Sequence, residues 1–171
     1  MAKKLLADFK EIKFSVSATT RLPRQGEIDG REYYFLTKDQ FRKKVRNDEF
    51  LEWEEFYNGT MYGTLKAHVE SELEKGYFIM LDVDVLGALN VKSIYGDDAL
   101  TIFIKPPSMD VLEDRLRNRG TESKESLKTR LDRAGKEITY ADKFDRIVVN
   151  DEIETAYSEI KEAVQNFISN K

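Results

Sequence analysis

The chain has 171 residues, 40% of them hydrophobic, which is enough for one domain with a core and excludes a disordered chain. Its 28 basic and 32 acidic residues argue against a general binder of nucleic acid or membrane surfaces. The lack of cysteine excludes disulfides and thiol catalysis, and the single histidine excludes a multi-histidine metal site. Because the sequence has no long apolar run and no signal peptide, we expect a soluble cytoplasmic protein without a membrane partner.

The first half of the chain alternates short strands and helices. Apolar spacing and turn residues predict a helix over 3–9, a strand over 13–17, a polar stretch over 19–31, a strand over 33–36, a strand over 50–56, a turn over 62–64 and a helix over 66–75. Thr37 and Gln40 have the spacing of a capping box, and Leu36 and Phe41 flank them as a hydrophobic staple. A helix is therefore expected to begin just after Thr37.

The second half reads as buried strands alternating with amphipathic helices. Residues 77–84 form a nearly continuous apolar run that ends in carboxylates, as is typical of a parallel strand buried on both faces. Two more such strands are predicted over 100–104 and 146–149, with helices over 127–138 and 153–167. This alternation predicts an α/β fold with a parallel sheet.

Two acidic residues follow the first of these buried strands. In open α/β sheets, ligands bind beyond the carboxyl ends of the strands, where Asp82 and Asp84 would lie. Carboxylates at that edge suit hydrated Mg²⁺ or the hydrogen-bond donors of a base. The alternative interpretation is a pair of solvated or helix-capping side chains.

Basic residues gather in two further places. One group surrounds a flexible loop near Gly120 and comprises Arg115, Arg117, Arg119, Lys124, Lys128, Arg130 and Arg133. This group is typical of a flap that closes over phosphates, because guanidinium groups match phosphate oxygens. The alternative interpretation is a solvated, salt-bridged pair of helices. The other group combines Ser17, Thr19, Thr20, Arg21 and Arg24 with Tyr33 and Tyr34, and suits an anion or an ordinary charged loop.

The stretch over 19–36, TTRLPRQGEIDGREYYFL, resembles the signature of the guanylate kinase family. Further segments resemble later landmarks of that family in the right order: 50–53, 62–64, 81–84, 106–108, 119–122 and 149–151. The resemblance covers residues 3–171. It implies a single α/β domain over 1–171, with a P-loop-kinase-like parallel sheet flanked by helices, a small mixed GMP-binding subdomain over about 15–75 and a lid over about 115–133.

The resemblance also implies a reaction and residue roles. The reaction is transfer of a phosphoryl group from ATP to GMP with Mg²⁺, a step of purine nucleotide metabolism. By resemblance, the GMP phosphate would be held by Arg21, Arg24, Tyr33 and Tyr62, and the guanine by Ser17, Glu52, Thr64 and Asp84. Asp82 would lie by the metal, Asn150 by the adenine, and Arg115, Arg119 and Arg130 would be the catalytic lid arginines.

One element of the family pattern does not occur in these residues. The sequence contains no G-x-x-x-x-G-K-[ST] phosphate-binding loop, which in the family follows the first core strand. The sequence thus predicts a truncated guanylate kinase that lacks this strand and loop, binds GMP at least in part, and has almost no ATP-dependent transfer. The alternative is a catalytically inactive module that binds GMP or a phosphorylated peptide.

Overall fold

The computed structural model describes residues 1–56, 59–118 and 124–171, which form two compact units. One unit comprises Ala2–Ile94, and the other comprises Met1 with Tyr95–Lys171. The helices are α1 Ala2–Asp8, α2 Lys38–Arg46, α3 Lys66–Leu73, α4 Val85–Tyr95, α5 Met109–Asn118, α6 Lys124–Ile138 and α7 Ile153–Ser169. The strands are β1 Ile12–Phe14, β2 Ala18–Thr19, β3 Tyr34–Phe35, β4 Phe50–Glu55, β5 Met61–Leu65, β6 Phe78–Met80, β7 Ile102–Lys105 and β8 Arg146–Val149.

The unit Ala2–Ile94 contains two sheets. β1 and β6 pair in parallel, with Ile12 opposite Phe78. The other sheet is mixed and has the order β3-β2-β5-β4, in which β2 is parallel to β3 and antiparallel to β5. β4 and β5 form an antiparallel hairpin, with Glu52 opposite Thr64.

A compact aromatic cluster fixes α2 against this mixed sheet. Phe41 of α2 is fully buried and stacks on Phe50 of β4, with ring centroids 4.4 Å apart, next to the buried Ala18 and Met61. The predicted capping box is confirmed: the Gln40 amide donates to the Thr37 hydroxyl and the Thr37 amide donates to the Gln40 side chain. Local capping and burial of one aromatic side chain therefore set where α2 begins and which face it buries.

Two predictions about strands in this unit are wrong in part. Residues 62–64 lie in β5 and not in a turn, because Gly63 allows a close approach to β4: a Cβ there would come within 2.8 Å of the Glu52 carbonyl oxygen and the Trp53 Cβ. The strand expected over 77–84 is limited to β6 and its side chains are only half-buried. Within the described residues β6 has β1 as its single strand neighbour, which leaves much of it accessible.

The unit that contains Tyr95–Lys171 is built on a parallel pair. β7 and β8 pair from Ile102 opposite Arg146 to Lys105 opposite Val149, close to the two predicted strands. α7 packs against β8 and buries Tyr157 and Ile160.

These parallel pairs and their helices confirm the predicted α/β class. The prediction of a single domain over 1–171 stays a prediction. Among the helices of the described ranges, none combines the length and apolar character needed to cross a bilayer.

Candidate functional site

The β4–β5 hairpin brings two of the predicted base-binding residues together. Because Glu52 and Thr64 are ladder partners, the Thr64 hydroxyl donates a hydrogen bond of 2.6 Å to Glu52 Oε1. Thr64 is fully buried and Glu52 is half-buried. The bond leaves the second oxygen, Oε2, as the acceptor that points toward the start of α4.

The start of α4 adds a second carboxylate to this cluster. Asp84 occupies the N-cap position: its carbonyl accepts from the Ala88 amide, and its Oδ1 accepts from the Gly87 amide at 2.7 Å. A Cβ on Gly87 would lie 2.9 Å from Asp84 Oδ1 and 3.0 Å from Glu52 Oε2. Both carboxylates therefore converge on one backbone position, and the predicted grouping of Glu52, Thr64 and Asp84 is observed.

The environment of Glu52 makes its negative charge less favourable than it is in water. Burial raises the pKa of Glu52, and the charge of Asp84 acts in the same direction, while the hydrogen bond from Thr64 opposes both. A carboxylate in such a place gains most from a ligand that donates hydrogen bonds to it. Two adjacent N–H donors on a flat ring would match its two oxygens.

Arg21 is the centre of a second cluster in the same unit. Its Nη1 and Nη2 donate to the two carboxylate oxygens of Glu27, each at 2.9 Å. The guanidinium carbon lies 5.3 Å from the ring centroid of Tyr33 and 5.8 Å from that of Phe35. The ion pair with Glu27 and a hydrogen bond with Tyr62 raise the pKa of Arg21, which keeps its charge permanent.

Three of the four predicted phosphate ligands are thus neighbours. The rings of Tyr33 and Tyr62 are 6.0 Å apart, in an edge-on arrangement next to Arg21. Arg24, the fourth, is exposed, and its backbone amide donates to Glu27 at 2.6 Å. Arg21 and the Arg24 amide lower the pKa of Glu27 to about 2, so this carboxylate stays ionised at neutral pH.

Ser17 lies directly before β2 and is half-buried. Its carbonyl accepts from the Tyr34 amide at 2.9 Å. Ala18, the next residue, is the ladder partner of Gly63, the residue before Thr64. The antiparallel direction of β2 and β5 therefore places Ser17 at the end of the sheet where Thr64 lies.

The predicted lid and adenine residues belong to the other unit. Arg115 of α5 donates to the backbone carbonyls of Asn150, at 2.7 Å, and Asp151, at 3.1 Å, so two predicted residues are in contact. Arg130 lies on α6, which packs against α5, and is exposed. Arg119 lies outside the described residues.

The predicted metal residue, Asp82, is exposed and lies two residues after β6. Within residues 1–56, 59–118 and 124–171, no group of three or more histidine or acidic side chains is placed to hold a metal by itself. Mg²⁺ in phosphoryl-transfer sites is bound through one or two carboxylates together with water and phosphate oxygens. A single accessible carboxylate such as Asp82 fits that donor set.

Sequence reasoning missed three residues of these clusters. Glu27 holds Arg21, Phe35 lies beside its guanidinium, and Gly87 separates Glu52 from Asp84. The only signal for Glu27 was a carboxylate within one loop of two arginines. Nothing in the sequence pattern marked Gly87.

Comparison with known proteins decides between the classes of protein considered above. The family model described as "Guanylate kinase" matches residues 1–167. The chain belongs to the guanylate kinase family. The relatives that it matches are enzymes by name, so the alternative of an inactive binding module is not favoured.

Similar guanylate kinases occur in several bacteria. That of Porphyromonas gingivalis is 48% identical over 168 residues, which are 98% of this chain and 89% of the relative. That of Salinibacter ruber is 47% identical over 99% of this chain and 89% of the relative, and that of Chlorobium luteolum is 45% identical over 100% and 86%. The crystal structure of guanylate kinase from Anaplasma phagocytophilum matches with a TM-score of 0.76 and 33% identity, and the match covers 96% of this chain and 79% of that one.

Proposed function

We propose that this chain binds GMP through the unit Ala2–Ile94 and takes part in the transfer of a phosphoryl group from ATP to GMP, within cytoplasmic purine nucleotide metabolism. The observation that supports it most is the convergence of Glu52, Thr64 and Asp84 at the start of α4. Relatives of this chain over nearly its whole length are named guanylate kinases.

Guanine recognition rests on Glu52. Guanine offers N1–H and the 2-amino group as neighbouring donors, and one carboxylate accepts both. Adenine lacks this donor pair, so an adenine ring would leave the half-buried Glu52 with the Thr64 hydroxyl but without the two donors of a guanine, a mismatch that polar sites reject strongly. Thr64 holds one oxygen of Glu52 in place, and Asp84 and Ser17 contribute further polar atoms near the ring.

The 5′-phosphate is bound by Arg21 with Tyr33 and Tyr62. The guanidinium of Arg21 is held at two points by Glu27, so its orientation is set before the ligand arrives. Arg24 is exposed on the same loop and adds a second guanidinium. A dianionic phosphate is a stronger acceptor than one carboxylate and competes with Glu27 for the N–H groups of Arg21.

The ATP side of the reaction is assigned to other residues. Asp82 would hold Mg²⁺ through its waters, and this ion supplies charge neutralisation of the phosphate oxygens when bound. Arg115, Arg119 and Arg130 would bind the transferring phosphates, and Asn150 would lie by the adenine. Because the 171 residues contain no G-x-x-x-x-G-K-[ST] motif, no residue of this sequence can be assigned to the backbone cradle of the ATP phosphates. We therefore propose that GMP binding by these residues exceeds their capacity for transfer.

Two measurements on the full 171-residue chain test this proposal. Isothermal titration calorimetry with GMP and with AMP measures binding, and a coupled assay of GDP formation from ATP and GMP measures transfer. We expect saturable binding of GMP, much weaker binding of AMP, and slow transfer. Equal affinity for the two nucleotides contradicts the assignment of the base site, and rapid turnover contradicts the proposed deficit in ATP binding.

A further inference from the structure

We propose that Gly87 is a specificity-determining positioning residue: its lack of a side chain provides the space in which Glu52 and Asp84 converge on a guanine ring. This inference rests on the proposed function. A Cβ at residue 87 would lie 2.9 Å from Asp84 Oδ1, 3.0 Å from Glu52 Oε2 and 3.1 Å from Glu52 Cγ. Carbon atoms do not approach oxygen so closely without displacement, so a methyl group there moves one or both carboxylates.

Neither carboxylate is free to move aside without loss. Thr64 holds Glu52 from the other side with a hydrogen bond of 2.6 Å, and the Gly87 amide itself holds Asp84 at 2.7 Å. One turn further along α4, the Asn90 side-chain amide donates to the carbonyl of Leu51, the residue before Glu52. This bond holds α4 against β4 close to the point where the methyl group would appear, so the added volume is directed at the side chains of Glu52 and Asp84.

Helix propensity alone would predict that Gly87→Ala stabilises α4. Glycine inside a helix is less favourable than alanine, and Gly87 is buried in the first turn of α4. Gly135 of α6 provides the matched control, because a Cβ there meets nothing within 4 Å. Gly135→Ala is expected to leave base preference unchanged and to raise thermal stability. Gly87→Ala is expected to lose the preference for guanine and to lower thermal stability.

The test uses calorimetry of the full chain with GMP and with inosine 5′-monophosphate, which lacks only the 2-amino group. We expect wild type to prefer GMP, and Gly87→Ala to bind GMP at least about tenfold more weakly with little preference left, because a displaced carboxylate cannot accept both guanine donors. If wild type fails to bind GMP, the proposed function fails. If wild type prefers GMP and Gly87→Ala keeps the same preference, the role of Gly87 alone is overturned.

A double-mutant cycle keeps the inference testable if Gly87→Ala is poorly folded. Glu52→Ala removes two of the three atoms that the new methyl group would contact, Oε2 and Cγ of Glu52, and leaves Asp84 Oδ1 in place. The loss of melting temperature caused by Gly87→Ala is therefore expected to be smaller in the Glu52→Ala background than in wild type. Equal losses in the two backgrounds, or failure of both Gly87→Ala chains to fold, would show that Glu52 is not what Gly87 accommodates and would overturn the proposal.

Discussion

Arg21 and Glu27 form a two-point ion pair across six residues of one loop, with both nitrogen–oxygen distances at 2.9 Å. The two side chains are mostly buried, at 18% and 17% exposure. The Arg24 amide adds a third donor to Glu27. This pair holds a permanent cation in a fixed orientation beside Tyr33 and Tyr62, where the GMP phosphate is proposed to bind.

Arg21→Lys is expected to weaken GMP binding selectively. Lysine keeps the charge but cannot make two parallel hydrogen bonds, so we expect a loss of about 1.5–3 kcal/mol in GMP binding. Guanosine, which has no phosphate, should bind the variant and wild type alike by calorimetry. Arg31→Lys is the control, since Arg31 is exposed and pairs with Glu32. Equal losses for GMP and guanosine would contradict a phosphate contact at Arg21.

The Glu27 ion pair should make stability sensitive to acid. Arg21 and the Arg24 amide lower the pKa of Glu27 from 4.5 to about 2, so the folded chain binds this proton more weakly than the unfolded chain. The resulting stability is present above the unfolded pKa and is lost as the pH falls from about 4.5 toward 2. Urea unfolding of wild type and Glu27→Gln at a series of pH values measures this, and we expect the advantage of wild type to shrink in acid.

The same substitution on the exposed face of α3, Glu70→Gln, serves as the control because it removes a carboxylate without affecting Arg21. If the difference in free energy of unfolding between wild type and Glu27→Gln stays constant from neutral pH to about pH 3, the lowered pKa of Glu27 is contradicted.

Phe41→Ala is expected to destabilise the unit Ala2–Ile94 strongly. Phe41 is fully buried and stacks on Phe50, and truncation of such a ring removes its transfer energy and leaves a cavity, at a cost of about 3–5 kcal/mol. Leu22→Ala, at a side chain that is 84% exposed, should change the free energy of unfolding by less than about 0.5 kcal/mol. Chemical denaturation followed by tryptophan fluorescence checks both. A loss below about 1 kcal/mol for Phe41→Ala would mean that the aromatic cluster does not carry the packing described.

Local sequence signals predicted the elements whose causes are local. Thr37 and Gln40 predict the start of α2 because capping depends on residues three apart. Apolar periodicity predicts α7 because it too is a pattern within one segment of the sequence. The sequence predicts a turn over 62–64, within β5, because a glycine beside polar side chains is typical of turns. The extended form of β5 is set by the close approach of β4 to Gly63, a contact between segments that sequence spacing does not reveal.

The candidate site shows the same division. Family resemblance supplied Glu52, Thr64 and Asp84, and the structure brings them together. The partner of Arg21 could not be assigned, because the choice of Glu27 among nearby carboxylates depends on the path of the loop. The sequence pattern does not predict the close contacts at Gly87 either, because the two side chains that approach it come from β4 and from the N-terminus of α4.

The most direct measurement of the central claim is the ratio of GMP to AMP affinity, by calorimetry, in wild type and Glu52→Gln. Glutamine has the same shape but replaces one acceptor oxygen with a donor, so it cannot accept both guanine donors. We expect wild type to prefer GMP by at least about a hundredfold and Glu52→Gln to lose most of that preference. Glu55→Gln, on the same strand and exposed, should retain it. An unchanged preference in Glu52→Gln would contradict the account.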